Sequence, residues 1–168
     1  ENNYCEGDEL MLSVDHNGNQ VIWASSGSGS IDNPESASIT YTSAEGETGE
    51  ITFEVTITNA CLTEVFIQTV SINMLPDASF TSIPEEKLVF IPVSFLPATD
   101  DADNYLWEFG DGETSMEVYP EHTFNDITDF NVTLTVEKDG CSSSSTTTVS
   151  ILEQRIVYIP NVFNPSAS

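Results

Sequence analysis

Basic side chains are almost missing: Lys87, Lys138 and Arg155 are the only three in 168 residues. Gripping a phosphate backbone requires Lys and Arg to displace counterions, so nucleic acid is excluded as a partner. Attraction to an anionic bilayer fails for the same reason. Long apolar runs are lacking too. No stretch approaches the ~20 residues of a membrane-crossing helix, so membrane insertion is not expected. No basic segment followed by an apolar one opens the chain, and we expect a piece of a longer protein rather than a precursor starting at Glu1. Helical apolar spacing is absent beyond a couple of turns.

Acidic side chains fill the gap. Twenty-eight Asp and Glu give a formal net charge of −25. Such a surface confers solubility, mutual repulsion between copies and affinity for divalent cations. Disorder would also tolerate this charge, but charged residues are only 18% of the chain against 39% hydrophobic ones, and mean hydropathy is −0.13. The strong strand patterning argues for an ordered fold.

That patterning is clearest at Glu50–Asn59, where Ile51, Phe53, Val55 and Ile57 alternate with Thr52, Glu54, Thr56 and Thr58. A period of two puts one face in a core and the other in water. Phe130–Glu137 repeats it with Phe130, Val132, Leu134 and Val136 inward. Further strands are expected at Glu9–Val14, Gln20–Ala24, Ala37–Thr42, Val65–Ile72, Leu88–Phe95, Asn104–Phe109 and Thr146–Leu152. Turn residues separate them, among them Asn17-Gly18-Asn19, Gly27-Ser28-Gly29, Gly46, Gly110-Asp111-Gly112 and Asp139-Gly140. Many short strands at this spacing predict an all-β sandwich.

The order of features occurs twice. Val21-Ile22-Trp23, a Gly/Ser turn, the alternating strand and Cys61 are matched by Tyr105-Leu106-Trp107, Gly110-Asp111-Gly112, the second alternating strand and Cys141. A period of roughly 80 residues means tandem domains. The expected fold is therefore two immunoglobulin-like antiparallel β-sandwiches, 1–75 and 76–154, followed by a linker and tail, 155–168. Pro76 marks the boundary because it has no N–H to give a sheet ladder. With Val70, Ile72 and Leu75 so near Phe80, limited bending between the modules is expected. Trp23 and Trp107, mid-strand, are expected to plug the two cores, although either aromatic could instead serve as a sugar platform.

Cysteine is scarce. Cys5 and Cys61 are the expected disulfide, closing a loop of roughly 56 residues and stabilising by about 4 kcal/mol in the chain-entropy model. The alternative is two free thiols. Cys141 then has no partner within its own module and reads as a small buried apolar residue. A disulfide implies an oxidising compartment.

Chemistry-bearing clusters are few. Asp100, Asp101 and Asp103, with Asp111, are the calcium candidate, since hard cations take several oxygens from one loop; the plainer reading is a solvated acidic loop, and no other cofactor is expected. Asp111 between two glycines also reads as a tight turn. The two histidines, His16 and His122, fall one in each module, and no nucleophile-elbow motif accompanies either. His122 is expected to hydrogen-bond a turn. Adjacent carboxylates such as Glu85-Glu86 would face opposite sides of a strand. We therefore expect no enzyme. Ser142–Thr148 reads as a strand edge or an O-glycosylation site.

Residues Tyr105-Leu106-Trp107-Glu108-Phe109-Gly110-Asp111-Gly112-Glu113-Thr114-Ser115, then Pro120-Glu121-His122-Thr123-Phe124 and Phe130–Val136, resemble the polycystic kidney disease (PKD) domain over most of 76–153. The first module, through Cys5-Glu6-Gly7-Asp8, Trp23-Ala24-Ser25-Ser26-Gly27, Asn33-Pro34 and Thr58-Asn59-Ala60-Cys61, is similar to the looser PKD-like repeats of Bacteroidetes surface proteins. In the tail, Val157-Tyr158-Ile159-Pro160-Asn161-Val162-Phe163 resembles the opening of the C-terminal domain of type IX secretion substrates, including gliding-motility adhesins; Ile159, Pro160, Asn161, Val162 and Phe163 would begin the sorting signal. These resemblances imply non-catalytic spacer and display modules of a large exported adhesin. They also imply an extracellular, outer-membrane-attached location. The implied partners are the type IX secretion and anchoring machinery, together with surface polysaccharide or other adhesin repeats. The alternative is a pair of glycan-binding accessory modules of a secreted polysaccharide-degrading enzyme.

Overall fold

A computed structural model describes residues 4–18 and 20–153. The tail signal at Ile159–Phe163 lies outside the described residues. Among those described, every regular element is a strand, and no helix is long and apolar enough to cross a membrane.

Seven strands precede Pro76: β1 (Tyr4–Cys5), β2 (Glu9–Ser13), β3 (Gln20–Ser25), β4 (Ser30–Ile31), β5 (Ser38–Thr42), β6 (Gly49–Thr58) and β7 (Thr63–Asn73). They form one sheet in the order β1-β7-β6-β3 and a second in the order β2-β5-β4. Eight follow: β8 (Phe80–Ile83), β9 (Lys87–Leu88), β10 (Val93–Pro97), β11 (Asn104–Glu108), β12 (Thr114–Ser115), β13 (Glu121–His122), β14 (Asp129–Lys138) and β15 (Cys141–Leu152). Their sheets run β12-β11-β14-β15-β9 and β13-β10-β8. The expected all-β sandwich architecture is what the chain adopts.

The alternating segments do what their pattern dictates. β6 buries Ile51, Phe53, Val55 and Ile57, and β14 buries Phe130, Val132, Leu134 and Val136. Each lies mid-sheet, paired with β3 and β7 or with β11 and β15. The inward faces gather into two separate cores, one spanning Leu10 to Ile72 and the other Ala78 to Ile151. Trp23 and Trp107 are buried in them. Each indole N–H donates to a carbonyl in the segment after the next short strand, Trp23 to Ser36 between β4 and β5 and Trp107 to Glu117 between β12 and β13, both at 2.9 Å. A buried tryptophan keeps its polar handle satisfied in this way.

Two expectations need correcting. The run Leu88–Phe95 is two strands in different sheets: β9 pairs with β15, while β10 pairs with β8 and β13. Between them Phe90 takes a left-handed φ of 62°, and Pro92 brings no N–H for a continuous ladder. The sheets are also not wholly antiparallel. β1 runs parallel to the end of β7, and β9 parallel to the end of β15. Each short strand is where the chain crosses from one sheet to the other.

Candidate functional site: the junction and the acidic loops

Covalent chemistry joins the modules. Cys5, ending β1, is bonded to Cys141, opening β15, with a Cα–Cα distance of 5.6 Å and a sequence separation of 136. The expected Cys5–Cys61 bridge is therefore wrong. Cys61 sits in the turn between β6 and β7, exposed and free. β1 pairs with the opposite end of β7, at Ile72 and Asn73. Eleven residues of strand separate those ends, roughly 36 Å at the rise of a β-strand, far beyond the ~7 Å Cα span a disulfide tolerates. Cys141 is buried, as its reading as a core residue required, but it is buried as half of a cystine.

Polar contacts reinforce the bond. The Asn73 side-chain amide donates to the Asp139 carbonyl at 3.2 Å, and the Ser143 hydroxyl donates to the Pro76 carbonyl. Asp139 and Gly140 form the tight turn between β14 and β15, with φ of 50° and 77°. Two successive positive φ values are what a two-residue hairpin needs. The turn thus aims Cys141 and the Asp139 carbonyl at the first module.

The four aspartates of the calcium candidate are not gathered into one ligand set. Asp100 accepts from the Tyr119 hydroxyl at 3.0 Å. Asp101 pairs with Lys138 and accepts from the Thr99 hydroxyl, and the Lys138 ammonium holds its carboxyl below the usual range. Asp103 accepts the backbone N–H of Asp139 at 2.8 Å. Asp111 faces another element altogether. Among the described residues, no three His, Cys, Asp or Glu converge as a metal site. Sequence proximity brought these carboxylates together on paper, but their hydrogen bonds disperse them.

Asp111 instead meets His122. Its Oδ2 lies 2.7 Å from His122 Nε2, and Oδ1 accepts the Glu113 N–H at 3.0 Å. Partial burial pushes the Asp111 carboxyl up, but the Glu113 N–H and His122 outweigh it and hold it below its ordinary value. The imidazole stacks on Phe109 at 4.1 Å, and Glu113 lies 3.7 Å from Nδ1. The ring is closed in by two aromatics, Phe109 and Phe124, and two carboxylates, and it ties the Gly110–Gly112 turn to β13. His16 lies exposed in the other module.

The first module has a counterpart that the sequence did not disclose. Tyr41, paired with Leu10 as His122 is paired with Val93, sends its hydroxyl to Glu47 at 2.8 Å. Glu47 also accepts from the backbone of Ser28 at 2.5 Å and of Ala44 at 2.9 Å, and the Tyr41 hydroxyl accepts from the Gly29 N–H at 2.9 Å. Burial, then the Glu47 carboxylate, pushes the Tyr41 phenol up. A Cβ on Gly27 would come within 2.1 Å of the Tyr41 oxygen, so the turn must be glycine to admit this contact. Each module therefore pins its Gly-rich turn with one carboxylate and one ring. No periodicity marks such a pair in advance, because its partners, six and eleven residues apart, are brought together by loops rather than by strand alternation.

Fold and junction together define a covalently coupled pair of immunoglobulin-like β-sandwich modules. The second of them, over residues 76–151, matches the PKD domain family. Collagenase ColQ1 of Bacillus cereus (strain Q1) is 47% identical over 49 residues, 29% of this chain; the match covers only 5% of that collagenase. The PKD1 domain of the Vibrio cholerae metalloprotease PrtV is 30% identical, with a TM-score of 0.39, covering 46% of this chain and 96% of that one. A structure of carbohydrate-binding modules from the β-sandwich superfamily is 28% identical, with a TM-score of 0.45, over 48% of this chain and 36% of that one.

Proposed function

We propose that this chain is a pair of non-catalytic spacer and display modules from a large secreted cell-surface adhesin, serving gliding motility. One observation carries the reading: a PKD-family module is locked to its neighbour by a disulfide at the junction. A covalent tie between sandwiches adds no binding cleft, but it restricts how one module swings on the next, as a spacer requires. The bond also favours an oxidising, extracellular setting. The net charge of −25 keeps neighbouring copies apart. Export runs through type IX secretion, with Ile159–Phe163 as the start of the sorting segment.

The test is surface labelling of intact producing cells with an antibody to the two modules. Replacing Ile159–Phe163 by alanine should abolish the surface signal and trap the protein inside the envelope. Undiminished labelling would remove the sorting assignment.

The collagenase match favours a second reading, accessory modules of a secreted hydrolase that hold its polymeric substrate. Immobilised polysaccharide or gelatin should retard the chain under that reading, and should leave it unretarded under the spacer reading.

A further inference from the structure

Among the described residues, β7 carries the longest unpaired sheet edge of the first module. β6 bonds one side of it over ten residues without a bulge. β1 covers the other side only at Ile72 and Asn73, so no described strand lies along positions 63–71 there. Edges of this length are ordinarily blunted by lysine, proline or a bulge. β7 has none of these.

The middle of that edge is apolar instead. Val65, Phe66 and Ile67 are 52, 50 and 66% exposed. Alternation turns Val65 and Ile67 to the outer face of the sheet, where Val65 adjoins Thr56 and, one strand further, Ile22. Contiguous exposed apolar surface of this kind marks an interaction site.

We propose that this edge pairs, antiparallel, with the same edge of a second copy. Charge selects that occupant. A charged partner would need several side chains of one sign to meet, and residues 63–71 offer only Glu64. The edge fits another as uncharged as itself. β15 also has an uncharged edge, but Ser and Thr line it, so it has little apolar surface to cover. A two-fold rotation about Ile67 lays residues 63–71 onto themselves. Ile67 then faces Ile67, Val65 faces Thr69, Thr63 faces Ser71, and Phe66 faces Gln68. β-branched pairs of this kind are favourable cross-strand contacts.

The carboxylates stay apart in that register. Glu64 falls opposite Val70, away from its twin. The two Glu54, each beside an Ile67, are three strand spacings apart, about 14 Å, more than a Debye length at physiological salt. Copies standing side by side on one surface run parallel and cannot pair in this way, so their mutual repulsion is unaffected. The pairing does not depend on the adhesin reading.

The test is analytical sedimentation of the full chain carrying Cys61→Ser, which removes chance thiol dimers. At physiological salt it should show a reversible, concentration-dependent dimer that weakens as salt is lowered. Ile67→Glu sets like charges face to face and should weaken the dimer roughly tenfold or more. Its circular dichroism should be unchanged, since the side chain is exposed. Crosslinking reads the register. Ile67→Cys places two thiols directly opposite, within disulfide range, whereas Thr69→Cys leaves them roughly 14 Å apart along the strands. Only the first should oxidise to a covalent dimer. A chain that stays monomeric at every concentration and salt would overturn the proposal. So would a dimer that survives Ile67→Glu, or equal crosslinking by both cysteine variants.

Discussion

Asn73 closes β7 and Asp139 opens the turn before β15, and the amide of one donates to the carbonyl of the other at 3.2 Å. Beside them runs the Cys5–Cys141 bond. Replacing Cys5 with Ser should lower stability by up to about 5 kcal/mol, the chain-entropy value for so long a loop. Calorimetry should then resolve two transitions where the oxidised chain shows greater coupling. Thiol titration of the native protein should find one accessible group, Cys61, and three after reduction and unfolding.

Asp111 makes stability depend on pH. Its folded carboxyl titrates below its unfolded value, so its contribution is complete above the ordinary aspartate range and is lost as pH falls through the folded value. Melting temperature should drop on acidification below about pH 4. Asp111→Asn should flatten that dependence and cost about 1–2 kcal/mol at neutral pH, since a charge-assisted hydrogen bond is lost. An acid limb unchanged in the variant would show that other carboxylates set it.

Trp23 and Trp107 hold equivalent posts in unequal surroundings. Trp107 is fully enclosed, with Phe80 and Phe95 against it, whereas Trp23 borders an open groove between β2 and β7. Trp107→Ala should cost about 3–5 kcal/mol, and Trp23→Ala measurably less. Chemical denaturation of each variant decides it. Equal losses would mean that the groove is filled in solution.

Gly27→Ala should destabilise the first module by about 1–3 kcal/mol, because the new methyl meets the Tyr41 hydroxyl. Removing that oxygen as well, in Gly27→Ala with Tyr41→Phe, should recover part of the loss. A double variant no better than the sum of its parts would point to the backbone rather than the contact.

Calcium provides a simple check on the dispersed aspartates. Adding calcium or chelator should leave the melting temperature unchanged to about 1 °C. A clear calcium-dependent rise would mean that Asp100, Asp101 and Asp103 rearrange to bind the ion.

The long strands could be read in advance because one buried and one wet face force a two-residue alternation, which β6 and β14 carry over ten residues each. Asp139-Gly140 was equally readable, since few other pairs accept two positive φ values. β8 was not. Phe80-Thr81-Ser82-Ile83 is short and only half buried, so no face announces itself. The disulfide escaped for a different reason. Each module held a plausible half, and only the pairing of β1 with the far end of β7 decides which sulfur is in reach. Tyr41 with Glu47, and Asp111 with His122, are likewise products of the fold.

Tension would take an unusual route through this molecule. A pull applied ahead of Cys5 and beyond Leu152 passes from the first sulfur to the second and on into β15, so residues 6–140 carry no load. Only the twelve residues of β15 then lie on the loaded path. As a strand they are already nearly fully extended, so they release only a few Å, on the order of a tenth of the strand's length, where the reduced chain would yield roughly 500 Å. Oxidation thus turns two unfoldable domains into a nearly inextensible link, with both cores hanging beside the line of force.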